Sequence, residues 1–336
     1  MSSSTSHSKL WGRRYSLKLI FKDGSQAVLS HDKFEPEALK MNFVVDYPGY
    51  QAFYMAVIEI WNVGAETEQK LIGKITEGTI VELSAGYQNE GRYGVIFLGK
   101  VFQPLVDRVN VTDFRFTLSC VDGKDMFENN TVNFTLPAGY TQLSLLQSTL
   151  ARASAPINAG AISPPRNTAT MPRGVTVFGA PSRQLRLFAR DNNLDMYAHQ
   201  EKINFAPNSA SVDPNPIVVS PSTGLIGSPS QTDAGVHIRS LLNPNILMSN
   251  PCRLIKIDQA LTRQELIRIG AITSILDADG TYKIIGVRHV GDTRGNDWYT
   301  EVIGLTVSGK ADPRNAAEAE EPYLPSAYKG IGSTLQ

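Results

Sequence analysis

The chain has 336 residues, 42% apolar and 19% charged, which is enough for a buried core and more than one core usually holds, so two or three domains are expected. Its 32 basic residues balance its 32 acidic ones, so the basic excess of a sequence-independent nucleic-acid binder is missing. Two cysteines, Cys120 and Cys252, are too few for the disulfide framework of a small secreted domain.

Met1 to Leu10 is Ser-rich and lacks the apolar stretch of a secretory leader. No run reaches the roughly 18 apolar residues of a membrane span. Folding in a cytoplasm, without membrane insertion, is the expectation. Without a secretory signal, Asn110 and Asn133 in their N-x-Thr contexts are read as chance matches to the glycosylation pattern.

After a flexible 1–9, Tyr15, Leu17, Leu19 and Phe21 alternate with outward positions as in a half-buried strand, and Lys22 to Ser25 supplies a turn. Further strands are predicted over 57–61, 80–85 and 95–102, the last carrying Gly99 where a bulge or close approach fits. Phe114, Phe116, Leu118 and Cys120 then point one way while Asp113, Arg115, Thr117 and Ser119 point the other. That alternation fits a sheet or barrel with one buried face, and it places Cys120 inside. With no crossover helices long enough for βαβ units, the spacing predicts a small antiparallel barrel over 10–130.

From Thr141, a plausible N-cap, Leu143, Leu146 and Leu150 form a helical stripe. A Pro-, Ala-, Ser- and Asn-rich linker is predicted over 155–172. A second helix starts near Pro181, with Leu185, Phe188 and Ala189 inward. Strands 196–199 and 202–205 complete a small α+β module over 131–210. After a linker at 206–216, strands are expected over 217–220, 235–240, 253–258, 282–290 and 298–307, with hairpin chemistry from Gly291 to Asn296. Residues 261–276 fit helix or strand. These strands make a second domain, 211–310.

One pattern recurs. Gly99 to Val101 leading to Asp113 and Phe114 is echoed by Gly286 to Arg288 leading to Asp297 and Trp298. A strand with a mid-strand Gly, a polar loop and an Asp-aromatic strand start is consistent with a duplicated domain or with grammar that hairpins share. The segment 311–336 is rich in Ala, Glu, Pro and Gly and cannot form a core. It reads either as a disordered end or as a strap ordered by a partner, with Tyr323, Leu324 and Tyr328 as its candidate interface residues.

Chemistry is hard to find. His7, His31, His199, His237 and His289 are scattered, with no H-E-x-x-H and no zinc-spaced Cys/His set. Counting from Asp277, the positions for a calcium loop's Gly and final acid hold Tyr282 and Arg288, so that motif fails. Gly224 to Pro229 lacks the Lys-Ser/Thr of a phosphate loop, and no G-x-S-x-G elbow occurs. Glycosidase carboxylates need share no local pattern, so only an enzyme without a readable motif survives. No catalytic residue, metal or cofactor is predicted. Trp11, Trp61 and Trp298 do not cluster as lectin aromatics often do, and are read as core or interface residues.

Four segments carry a resemblance: Ile58 to Asn62; Val81 to Tyr87 followed by Val95 to Gly99; Phe114 to Gly123; and Gly224 to Thr232 followed by Gly235, Val236 and Leu241 to Pro244. In order and spacing the chain resembles the central baseplate hub proteins of contractile-tailed phages, relatives of the type VI secretion spike hub. The resemblance implies a mainly β fold of two tube-like antiparallel β-barrel domains, a middle α+β module and an extended tail. It implies a homotrimer in the virion baseplate, assembled in the host cytoplasm. Three chains with two barrels each would join a hexameric tail tube, or its initiator protein, to a trimeric central spike, with tape-measure and wedge proteins as further neighbours. The alternatives are a secretion or tail-like particle component, and a tail-associated cell-wall hydrolase or glycan-binding β-protein.

Overall fold

The computed structural model describes residues 12–31, 39–48, 54–63, 74–75, 78–88, 92–124, 130–207, 216–232, 235–246, 254–257 and 281–306. The fold is mainly β. The first segment contributes β1 (Arg13–Ile20), β2 (Gln26–His31), β3 (Met41–Pro48), β4 (Tyr54–Trp61), β5 (Ile80–Tyr87), β6 (Tyr93–Arg108) and β7 (Phe114–Asp122). The middle holds β8 (Val132–Leu136), α1 (Gln142–Ala151), β9 (Asn158–Ile162), β10 (Val175–Gly179), α2 (Pro181–Asn192), β11 (Leu194–His199) and β12 (Lys202–Pro207). The last segment holds β13 (Ile217–Val219), β14 (Leu225–Thr232), β15 (Gly235–Leu241), β16 (Leu254–Ile257), β17 (Thr281–Asp292) and β18 (Trp298–Thr306).

The two flanking segments share one 13-stranded sheet, in the order β14-β15-β18-β17-β3-β4-β7-β6-β5-β1-β2, with β16 on β17 and β13 on β16. All its pairings are antiparallel except β13 with β16. Strict alternation drives the burial: in β3 and β4 every second residue is buried, as period-two side-chain placement requires. Leu17, Leu83, Ile58, Leu118 and Val302 are fully enclosed in one continuous apolar cluster. Burying each such side chain is worth about 1.5–3 kcal/mol.

Within this sheet a topology repeats. Neighbour order β3-β4-β7-β6-β5 matches β14-β15-β18-β17-β16, and every corresponding pair is antiparallel. Each unit carries a one-residue bulge at the same place, Phe102 against β7 and Ile285 against β18. Beyond the bulges, Arg108 pairs with Phe114 and Gly291 with Trp298, so the Asp113-Phe114 and Asp297-Trp298 strand starts correspond. The glycines do not. Gly286 corresponds to Gln103, while Gly99 lies four residues earlier, so that half of the sequence echo is coincidental.

The middle module has its own core of Leu146, Leu150, Leu185, Phe188, Ala198, Ile203 and Phe205. Thr141 caps α1 in a capping box with Ser144, and Pro181 opens α2. The expected linker at 155–172 contains β9, which pairs in parallel with β12. Strands β2, β3, β8, β10 and β14 were not expected from the sequence. In β14, Gly227 and Pro229 disguise the strand, and its register breaks between Ile226 and Ser230.

Candidate functional site

Three places in this fold position groups that could serve a function: the seat of the middle module, the joint between the repeats, and the projecting hairpin with its sheet edges.

The seat centres on Asp122, at the end of β7 and 1% exposed. Its carboxylate accepts the backbone N–H of Gln200 at 2.7 Å and of Glu201 at 2.8 Å. Both donors lie in the β11–β12 turn with left-handed φ values of 52° and 60°. Lys100 to Glu201 at 3.4 Å and Lys283 to Asp195 at 3.3 Å brace the module against both repeats. Burial pushes the Asp122 carboxyl up to about 7, although the two N–H donors act downward. Tyr47 and Tyr54 pack edge-on at 4.5 Å beside it, and burial drives both phenols up.

Two histidines join this interior. His199 is 8% exposed and its pKa is held down at about 4 by burial. His289 is fully enclosed, its Nδ1 lies 2.9 Å from Thr300 Oγ1, and burial pulls it down to about 3. Both are neutral near pH 7 and shut off from solvent, which suits packing rather than acid–base work. Cys120 is a buried free thiol whose pKa burial pushes up, as its inward position predicted. Cys252 and Asp277 to Gly280 lie outside the described residues. Among the described residues no three His, Cys, Asp or Glu side chains gather as a metal site would require. Among them, too, no helix is long and apolar enough to cross a membrane.

The joint is the pairing of β3 with β17, Asn42 opposite Asp292 through Pro48 opposite Gly286. Arg13 on β1 donates to the carbonyls of Asp292 and Gly295, each at 2.5 Å, and stacks 5.4 Å from the Trp298 ring. Trp298, 3% exposed, donates through Nε1 to Gly86 O at 3.3 Å. Gly86 is required there, because a Cβ would overlap the Arg92 carbonyl oxygen. The Leu241 to Pro244 segment is a buried turn here, with Asn243 N donating to Thr300 Oγ1 at 3.0 Å.

The hairpin is the distal part of β6 and β7. Asn110, whose sequon was read as a chance match, is a turn former: its Oδ1 accepts from the N–H of Thr112 and Asp113 at 2.8 and 2.7 Å. Asn62, in left-handed conformation at φ 52°, accepts from Phe114 N at 3.0 Å and donates to Asp113 Oδ1 at 2.7 Å. These two amides hold the Asp113 carboxyl below the usual range. The arm leaves Leu105, Val106, Val109, Val111 and Phe114 exposed. The alternation had set Phe114 on the buried face with Phe116, Leu118 and Cys120; the structure corrects this, because a strand face is buried only where neighbours cover it and the arm projects beyond them. The expected tail anchors Tyr323, Leu324 and Tyr328 lie outside the described residues.

No family profile and no curated protein matches this sequence. Solved structures do match its fold. A tail protein from Neisseria meningitidis MC58 superposes with a TM-score of 0.56 at 10% identity, over 87% of this chain and 96% of that one. A 43 kDa tail protein of prophage MuSo2 from Shewanella oneidensis gives 0.53 at 8% identity, over 87% and 97%. This is a phage-tail-protein fold. The E. coli c3393 protein, a type VI secretion component described as structurally similar to the T4 tail proteins gp27 and gp5, matches at 0.51 and 9% identity, over 84% and 76%.

Proposed function

We propose that this chain is a structural hub of a contractile phage tail, a homotrimeric adaptor between the hexameric tail tube and the trimeric central spike. The observation that carries the reading is the repeated five-strand unit joined head to tail inside one chain. Three such chains present six near-equivalent units to a sixfold tube and threefold symmetry to a spike, through a heterologous interface that must close. In this reading 10–130 and 211–310 are the two tube-like domains, 131–210 is the module seated on Asp122, and 311–336 is a strap. Tyr323, Leu324 and Tyr328 anchor the strap on the spike or on a neighbouring hub chain. The work is assembly, and no bond is broken.

A phage tail is favoured over a secretion particle by coverage. The fold spans 96% and 97% of the two tail-protein chains, one of them from a prophage, but 76% of the secretion-system chain. Light scattering on the purified protein, alone and with its cognate spike protein, tests the proposal. A trimer, or a monomer that trimerises with the spike, is expected. A monomer indifferent to every tail protein, or a dimer that hydrolyses cell walls, would overturn it.

A further inference from the structure

The internal joint is a template for an external one. In the second unit, the distal half of β17 has β18 on one edge and β3 on the other. In the first unit, the corresponding half of β6, Gln103 to Arg108, has β7 on one edge, and among the described residues no strand pairs with the other. At the far end of the sheet β14, which corresponds to β3, also has an edge with no strand on it among those residues. We infer that the outer edge of β6 receives β14 of a second copy of this chain, in antiparallel pairing, as β17 receives β3 within the chain.

Burial supports this partner. Val106 corresponds to His289 through the shared bulge, yet Val106 is 46% exposed while His289 is 0% exposed. Leu105 beside it is 48% exposed. Apolar side chains along a bare strand edge are an association site unless something covers them. Pro104 does not oppose the pairing. The Val109 N–H points toward β7, to Asp113 O at 2.9 Å, so alternation turns Pro104, Val106 and Arg108 outward; in the register derived below Pro229 of β14 faces Arg108, and the two prolines cost one ladder bond each. The internal joint likewise tolerates Pro48 opposite Gly286 and Arg288 opposite Asp46.

Equivalence also fixes the register. Val290 pairs with Val44 inside the chain, and through the bulges and the shared β4 and β15 pairings these correspond to Asp107 and Ser230. Asp107 of one copy therefore faces Ser230 of the next in a non-hydrogen-bonded pair, with Cα atoms about 4.5 Å apart, within reach of a disulfide.

This inference rests on the hub reading, and the test separates the two. The full chain carrying Asp107→Cys with Ser230→Cys is oxidised and run without reductant, beside each single variant. A ladder of linked chains from the double variant, absent from both single variants, is expected. Val106→Asp, which buries a charge in the seam, is expected to weaken self-association about tenfold or more with unchanged circular dichroism. A trimer that forms without the cross-link and ignores Val106→Asp overturns the pairing and leaves the hub standing. Cross-links confined to one chain mean that the chain's own segments cover the edge, and also overturn it. Linked chains that stop at a dimer keep the pairing and overturn the trimer. A chain that stays single at every concentration, with and without the spike protein, overturns both.

Discussion

Replacing Asp122 by Asn should make the protein less sensitive to pH, because the carboxyl of Asp122 is ionised at a cost. Its folded pKa of about 7 lies above the ordinary 3.8, so folding takes up a proton. For an acid raised in this way, stability falls as pH rises from about 3.8 toward 7 and levels off above. At about 1.4 kcal/mol per unit, the ionised group costs roughly 4 kcal/mol at pH 8 and under about 2 kcal/mol at pH 5. Asparagine removes that dependence. It keeps one acceptor for the two N–H groups of Gln200 and Glu201, and leaving the other unsatisfied costs about 1–3 kcal/mol at any pH. Urea unfolding of both proteins at pH 5 and pH 8 should therefore show the variant gaining on the native protein by about 3 kcal/mol between the two. Comparing differences cancels the histidines, which both proteins share. A gap that is the same at both pH values would refute the claim that Asp122 is buried as a strained anion in the seat of the module.

Two further outcomes follow from the interior. Gly86→Ala forces the β5 backbone away from Arg92 and disturbs the carbonyl that Trp298 donates to, so a loss of about 2 kcal/mol or more in urea unfolding is expected. His289, whose pKa is lowered to about 3, contributes stability that is fully present above about 6.5 and lost as pH falls toward 3; His289→Gln should flatten the acid limb of the stability profile while lowering stability at pH 7.

Much of the strand content was legible because period-two alternation is a local property. Phe116 to Cys120 and Tyr15 to Phe21 announce their buried faces, and Thr141 and Pro181 mark helix starts through chemistry confined to one turn. β14 was hidden because Gly227 and Pro229 read as a loop, and a strand carries them here where its register breaks between Ile226 and Ser230. The duplication was half visible. Asp113-Phe114 and Asp297-Trp298 do correspond, but the glycine match was spurious, since bulge position depends on pairing and not on any one residue type. The sequence by itself determined that the chain is mainly β with an α+β insert, and that Cys120 lies inside. Only the tertiary structure decided that β3 crosses to β17, that Asp122 meets the Gln200 turn, and that the distal half of β6 has an apolar edge with no strand on it among the described residues. Each of these depends on residues far apart in the chain, where closure in space, rather than local propensity, sets which groups meet.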